Sequence, residues 1–339
     1  MVTYRIPILK LPTIVLQMVL QMMRFTDLFL LSRVSITMGI LIKILVKIRN
    51  HKVKMIFGYH FMFEFISTKD ENQTETILLI KNGLTYPNYI HFQLNIGNAI
   101  NVLSTLTHAT QGISVLATSW DDMVSGAYEL LKEFFDLFSI EILATDVNLN
   151  MVGGNYQPII RLINWLNPKV PSSRYIGKCD AQAYEWIIRN VESKNKVLFH
   201  MHPTEYPEIK WLTLNKKEIS ITHGKWIDFD QFHTIRGTSI DLRDLSFTDD
   251  QLNTIFLGLK GGLYPDLEKL NLQFTRPLNP QAMLNGLDYV LEGASKCSFR
   301  MISGKKCVIF YKRFFDVNPI LYELEVSISK IIENSTSSY

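Results

Sequence analysis

Two histidines set two apart, in His200-Met201-His202-Pro203, are the first residues whose spacing could do chemistry. On a strand, positions i and i+2 share a face. The pair could therefore present two imidazoles, with His223 as a third ligand, as zinc sites do. No Cys, Asp or Glu stands beside them at ligand spacing, so the pair reads as strand-edge histidines and no metal is expected. Gly153-Gly154 and Gly261-Gly262 lack the Lys-Ser/Thr or the strand–helix glycine pattern of a nucleotide loop and read as turns or helix stops, so no cofactor is expected. Asp121-Asp122 and Asp249-Asp250 sit where helices should begin, and acids there answer the helix dipole without any catalytic pairing. No Gly-x-Ser-x-Gly or comparable nucleophile motif occurs. The chain is read as a non-enzyme.

Cys179, Cys297 and Cys307 are too few and too scattered for a disulfide framework or a zinc cluster, and they point to a reducing compartment. In that setting the sequons at Asn72 and Asn334 carry no meaning. Net charge is +3, but unevenly placed: residues 1–57 hold nine Lys/Arg against Asp27 alone, leaving the remainder acidic. The basic residues are dispersed rather than interleaved with aromatics, so no nucleic-acid partner is expected. A basic end equally suits an acidic protein partner.

The most apolar element that could position anything is the run behind Ile6-Pro7-Ile8-Leu9-Lys10-Leu11-Pro12. Thr13, Gln17, Gln21 and Arg24 mark one narrow polar stripe of a helix, and nearly everything else from Ile14 to Met23 is apolar. Such a helix is buried on more than one side. About forty residues cannot supply both sides, since small units bury too little surface alone, and a partner is implied. Pro12 suits a first helical turn. Thr26 can cap a second helix from Asp27, with Phe25 and Leu30 as a hydrophobic staple. A third helix reads from Ile36 to Ile48, with Ile36, Ile40, Ile44 and Ile48 along one side. Arg24, Asp27, Arg33, Lys43 and Lys47 interrupt every long apolar run, so no membrane span is expected. Nor does a compact apolar core precede a small-residue cleavage site, so no secretory signal is expected.

At these residues the chain resembles the F-box: a proline-hydrophobic start, the Leu11-Pro12 pair, an apolar helix, and Asp27-Leu28-Phe29-Leu30-Leu31-Ser32, over about residues 4–48. Ser35-Ile36-Thr37-Met38-Gly39 departs from the more basic or Cys/Trp-bearing segment usual there. The resemblance implies docking on a Skp-family adaptor and, through it, a cullin. Pro7, Ile8, Leu11, Pro12, Val15, Leu16, Val19, Leu20 and Leu28 would form the adaptor-binding face, buried only when the adaptor is present.

Residues 51–118 read as a connecting β-rich region, with strands in Phe57–Ile66, Ile77–Ile80 and Ile90–Leu94. A helix is expected from Trp120 to Phe138 with Ser119 as N-cap, then a strand at Ile140–Leu143, a helix at Ala181–Val191 behind Asp180, and a strand at Val197–Phe199. From Ile209 the pattern is quasi-periodic. Trp211-Leu212-Thr213-Leu214, Ser239-Ile240-Asp241-Leu242 and Lys269-Leu270-Asn271-Leu272 alternate as short strands. Between them, Thr248-Asp249-Asp250-Gln251 is a capping box whose helix should stop near Gly261-Gly262. Another helix opens at Asn279-Pro280 and runs towards Leu291. Strand-then-helix units of this length predict a curved, leucine-rich-repeat-like domain over residues 119–325. A hairpin across Ser303-Gly304 closes it, and residues 326–339 form a flexible tail.

Ile219–Trp226, Ser239–Leu242 and Gly261–Leu270 also resemble the type 2 F-box-associated domain of nematode-type F-box families. The architecture expected is therefore α/β: a small three-helix F-box followed by the strand–helix domain. The pairing implies a cytoplasmic or nuclear substrate receptor of a Skp–cullin–F-box ubiquitin ligase, with an unknown protein target. A leucine-rich-type scaffold without ligase recruitment is the competing reading. With Leu212, Leu214, Ile240, Leu242, Leu270 and Leu272 turned inwards, the target-binding face would carry Trp211, Thr213, Asp241, Arg243, Lys269, Asn271 and Gln273. Trp211, Trp226 and Phe229 are either anchors for a partner or core.

Overall fold

The computed structural model describes residues 12–23, 25–46, 51–66, 74–83, 91–108, 113–138, 140–166, 169–193, 195–314 and 321–330. The chain is α/β and divides into two compact units, Met1–Pro171 and Ser172–Tyr339. The boundary expected at residue 119 falls inside the first unit, because the helix that follows it packs there.

The first unit begins with α1 (Thr13–Met22), α2 (Phe25–Ser32) and α3 (Ile36–Leu45). Six strands follow: β1 (His51–Phe57), β2 (Phe61–Ile66), β3 (Thr74–Lys81), β4 (His91–Ile96), β5 (Ala99–His108) and β6 (Ser114–Ser119). Then come α4 (Met123–Leu137), β7 (Ile140–Asn148), the single turn α5 (Leu149–Val152) and α6 (Tyr156–Leu166). The strands lie in the order β7-β1-β2-β3-β6-β5-β4. Two contacts are parallel, β1 with β7 and β3 with β6; the rest are antiparallel. Ser119 ends β6 and does not cap α4; Asp122 does, accepting from the amides of Val124 and Ser125.

The three N-terminal helices do not stand apart as a separate module. Phe25 is fully buried and its ring stacks on Phe65 of β2 at 4.1 Å and on Phe134 of α4 at 5.2 Å. Phe29 stacks on Phe134 at 4.5 Å. Arg33 reaches Glu133 at 3.0 Å, and Lys43 pairs with Asp136. The second apolar side that the helices need is thus supplied largely by their own unit. Thr26 lies inside α2, fully buried and with its hydroxyl unpartnered, rather than at its cap. Ser35 caps α3 by accepting from the amide of Met38, so the departing segment starts a regular helix.

The second unit runs β8 (Ser172–Cys179), α7 (Ala181–Asn190), β9 (Lys196–Pro203), β10 (Leu214–Asn215), β11 (Glu218–Ile221) and α8 (Phe229–Phe232). It continues with β12 (Ile235–Arg236), β13 (Ser239–Leu245), α9 (Asp249–Lys260), β14 (Lys269–Phe274) and α10 (Pro280–Met283). The antiparallel strands β15 (Tyr289–Gly293), β16 (Lys296–Arg300), β17 (Lys305–Phe314) and β18 (Leu321–Lys330) complete it. Strands β8, β9, β11, β13 and β14 are parallel and lie side by side in chain order. Beyond β14 come β18, β17, β16 and β15, all antiparallel.

Local chemistry explains these elements. Asp180 caps α7 through the Ala183 amide at 2.7 Å. The capping box of α9 is present in full, and after Gly261 the chain turns through Gly262 at φ +83°, a conformation that disfavours any side chain. The helix at Asn279-Pro280 stops after one turn instead of reaching Leu291, which lies in β15. The hairpin across Gly304 pairs Phe299 with Cys307. The expected tail is corrected too, since residues 326–330 belong to β18.

Candidate interaction surfaces

In the first unit, α1 turns the opposite way from expectation. Leu16, Leu20 and Leu28 are buried within the chain itself, so they do not wait for an adaptor. Val19 is half-buried, Pro12 is exposed and Val15 is largely exposed, while Pro7, Ile8 and Leu11 lie outside the described residues. The polar positions Gln17 and Gln21 are half-buried. What faces out is an apolar stripe, Ile14, Met18 and Met22, at steps of four. On α3, Ile36, Ile40 and Ile44 repeat the pattern. All six are at least 53 % exposed. Two aliphatic stripes on one pair of helices exceed the scattered apolar residues that a surface ordinarily carries.

In the second unit, alternation along the parallel strands sorts the side chains. Leu212, Leu214, Ile240, Leu242, Leu270 and Leu272 are buried as expected. Strands β11, β13 and β14 bring Ser220, Asp241 and Asn271 into one row, because Ser220 pairs with Asp241 and Asp241 with Asn271; on β9 it is Leu198 that pairs with Ser220, and His200, two residues on, reaches the row by its side chain. Ser220 Oγ donates to Asp241 Oδ2 at 3.0 Å. Arg243 grips the same carboxylate with Nε and Nη2, at 3.3 and 3.0 Å. Asn271 Nδ2 donates to Oδ1 at 3.3 Å. Its own Oδ1 is buried and accepts nothing. His200 Nε2 stands 3.1 Å from Ser220 Oγ. Since that hydroxyl spends its one hydrogen on Asp241, the contact requires Nε2 to carry the hydrogen. Burial, and then Arg243, push the His200 pKa down, so the ring is neutral near pH 7.

The order His–Ser–Asp places the serine in the middle. The carboxylate does not orient the histidine, and the histidine cannot take the serine proton, so the arrangement is not that of an acyl-transfer triad. The row is a saturated carboxylate flanked by one buried, unpartnered amide oxygen.

Asp241, Arg243 and Asn271 are thus brought together, and Lys269 and Gln273 share their side of β14. Trp211 and Thr213 do not belong to this face. Residues 211–213 are not a strand: Trp211 sits at φ +58° and is 92 % exposed, and only Leu214–Asn215 pairs, with β12. The strand in this part of the chain is β11, Glu218–Ile221. Trp226 is core, its indole N–H donating to Tyr184 Oη at 3.1 Å.

His202, near the end of β9, and His223, just past β11, have ring centroids 4.4 Å apart, but they do not join His200 as a ligand set. Their company is Asp244, in the left-handed region at φ +58°, which accepts from Tyr206 Oη and lies 4.0 Å from His223 Nδ1. Among the described residues no three His, Cys, Asp or Glu side chains converge as a metal site needs.

No family model, no curated protein and no solved structure matches this chain. The reading of its function therefore rests on the residues and their geometry. Among the described residues, no helix is long and apolar enough to cross a membrane.

Proposed function

We propose that this chain is the substrate-receptor subunit of a Skp–cullin–F-box ubiquitin ligase. Its N-terminal helices would dock a Skp-family adaptor, and its leucine-rich-repeat-like second unit would hold a protein target. The observation that carries this reading is the pair of exposed stripes, Ile14–Met18–Met22 and Ile36–Ile40–Ile44. Fully burying one aliphatic side chain stabilises by about 1.5–3 kcal/mol, so covering six that are mostly exposed supplies several kcal/mol of association. The residues Pro7, Ile8 and Leu11 retain the role that the F-box resemblance gives them. Leu16, Leu20 and Leu28 become internal supports for that face rather than parts of it.

The receptor does no chemistry in this reading. One surface binds the ligase, the other holds the target, and effective concentration does the rest. The target face is the row Ser220–Asp241–Asn271 with Arg243, Lys269 and Gln273. Its location would be cytoplasmic or nuclear.

Pull-down of purified adaptor by the full chain tests this. Met18→Glu with Ile40→Glu places two charges on the stripes without touching the buried residues, and adaptor capture should fall at least tenfold at unchanged melting temperature. Equal capture by the variant removes the adaptor reading.

One observation favours the second reading, a protein-interaction scaffold that recruits no ligase. Phe25 and Phe29 anchor α2 in the core of the first unit, as internal packing requires. That scaffold would show no affinity for a Skp-family adaptor at any concentration, while retaining partners of the second unit.

A further inference from the structure

A hollow of about 240 Å³ opens in the second unit, at the end of the sheet where β11 and β13 begin. Two backbone segments build it, 215–217 and 235–238. They run side by side: Asn215 pairs with Arg236, Lys216 N donates to Arg236 O at 3.1 Å, and Thr238 N and Oγ1 both donate to Lys217 O. The approach is close enough that a Cβ on Gly237 would stand 2.6 Å from Lys216 O. Three cationic residues, Lys216 and Lys217 on one segment and Arg236 on the other, therefore line the hollow. Ile235, Ile240, Pro265 and Leu267 supply apolar lining.

Two of these charges, on Lys217 and Arg236, lie at the surface of the hollow. Lys216 Nζ is engaged on Val191 O at 2.6 Å. Among the described residues, Lys217 and Arg236 form no ion pair, although Asp266 lines the same hollow. Arg236 has only a 3.4 Å contact to its own Ile235 carbonyl and a position 5.7 Å from the Tyr264 ring centre. Its field is felt by the neighbours: after burial, it is the next cause that lowers the His233 pKa, and it opposes the upward push of burial on Tyr264. A guanidinium and an ammonium lining one hollow together with apolar side chains are the donor types that recognise phosphate oxygens. The volume lies below the roughly 300–1,000 Å³ of drug-sized sites, as fits a head group rather than a whole cofactor.

We propose that this hollow binds a phosphoryl dianion carried on a small apolar or aromatic body. The site is separate from the Asp241 row and does not depend on the ligase reading. Lys217 and Arg236 would engage the oxygens, Thr238 would lie at their margin, and Ile240 with Pro265 would cover the body.

Calorimetric titration of the full chain with phenyl phosphate, inorganic phosphate and benzoate at low salt is the test. Saturable one-to-one binding of phenyl phosphate is expected, with inorganic phosphate weaker and benzoate weaker still by tenfold or more. Lys217→Gln with Arg236→Gln should weaken phenyl phosphate at least tenfold at unchanged melting temperature. Lys132→Gln, an exposed lysine on α4, should leave it as in wild type. Absence of saturation, benzoate binding as tightly as phenyl phosphate, or equal losses in the Lys132 variant would each overturn the proposal. The last outcome would reduce the effect to counterion attraction by surface charge.

Discussion

Replacing Phe25 by Ala asks whether the N-terminal helices are part of the first unit or an appendage to it. Phe25 has no exposed surface, and its ring contacts those of Phe65, Phe134 and Phe138 at centroid distances of 4.1, 5.2 and 4.3 Å. The substitution removes a ring enclosed by three others, from a strand and a helix that are themselves fixed by β-pairing and by the Arg33–Glu133 bridge. Collapse around the void is therefore limited, and Phe→Ala in such a setting costs about 3–5 kcal/mol. For a unit of this size each kcal/mol shifts the midpoint by roughly 2–4 °C, so a drop of about 6–20 °C is expected. In a chain of two compact units a single global value is ambiguous. Hydrogen exchange resolved by peptide is the better assay: protection in Phe61–Ile66 and Met123–Leu137 should fall, while Ser239–Leu245 keeps its rate. Met18→Ala, on the exposed stripe, should stay within about 0.5 kcal/mol of wild type. If Phe25→Ala costs less than about 1 kcal/mol, or leaves β2 and α4 equally protected, the helices are independent of the unit and the packing described here is wrong.

Acid should destabilise the second unit before its carboxylates titrate. His200, His223 and His233 all have pKa values lowered first by burial. Between their folded values and about 6.5 the unfolded chain binds more protons, so stability falls as pH drops from 7 to 5. His200→Gln should flatten that slope in pH-dependent melting, and an unchanged slope would exclude His200 as a contributor. Thiol labelling gives a second readout: burial raises the Cys179 and Cys307 pKa values to about 12, and Cys297 is raised too. Alkylation at pH 8 should be slow in the native state, with half-buried Cys179 reacting first, and fast in urea; rapid native labelling of Cys307 would contradict its burial.

Much of the second unit was legible because its signals are local. The Thr248 box, the Asp180 cap and the alternation of Ile240/Leu242 and Leu270/Leu272 each depend on a few adjacent residues, and each appears as read. Other readings failed where local signals tie. Trp211–Leu214 and Glu218–Ile221 alternate equally well, and only tertiary pairing selects the second. The cap at Asn279-Pro280 starts a helix but does not say where it stops. α6 was overlooked although Ile159, Ile160, Ile163 and Leu166 trace a helical face, and β5 and β6 went unread in a Thr- and Ser-rich stretch of weak contrast. In the first unit the sequence carries the excess of apolar surface but not its disposal, with Leu16 and Leu20 inside and Ile14, Met18 and Met22 outside. Whether Leu16 or Met18 faces inwards depends on how α1 meets its neighbours in the fold, α3 among them, and no helical periodicity contains that information. Asp241, Arg243 and Asn271 were legible as a face. The bond network that joins them through Ser220 to His200 was not, because it depends on the register of three strands and on a side chain reaching across from a fourth.

The pocket that receives Phe25 has a consequence for the order of synthesis. Its walls come from β2 and α4, and β1 is held on one side by β7, which begins at Ile140. A ribosome adding about 5–20 residues per second takes on the order of ten seconds to travel from Phe25 to Phe138. Throughout that interval α2 has nowhere to bury its aromatic rings. The nascent chain must therefore carry Phe25 and Phe29 in an unfilled state, a window in which a holdase would find them. The second unit meets no comparable delay, because each of its parallel strands docks beside the one made just before it.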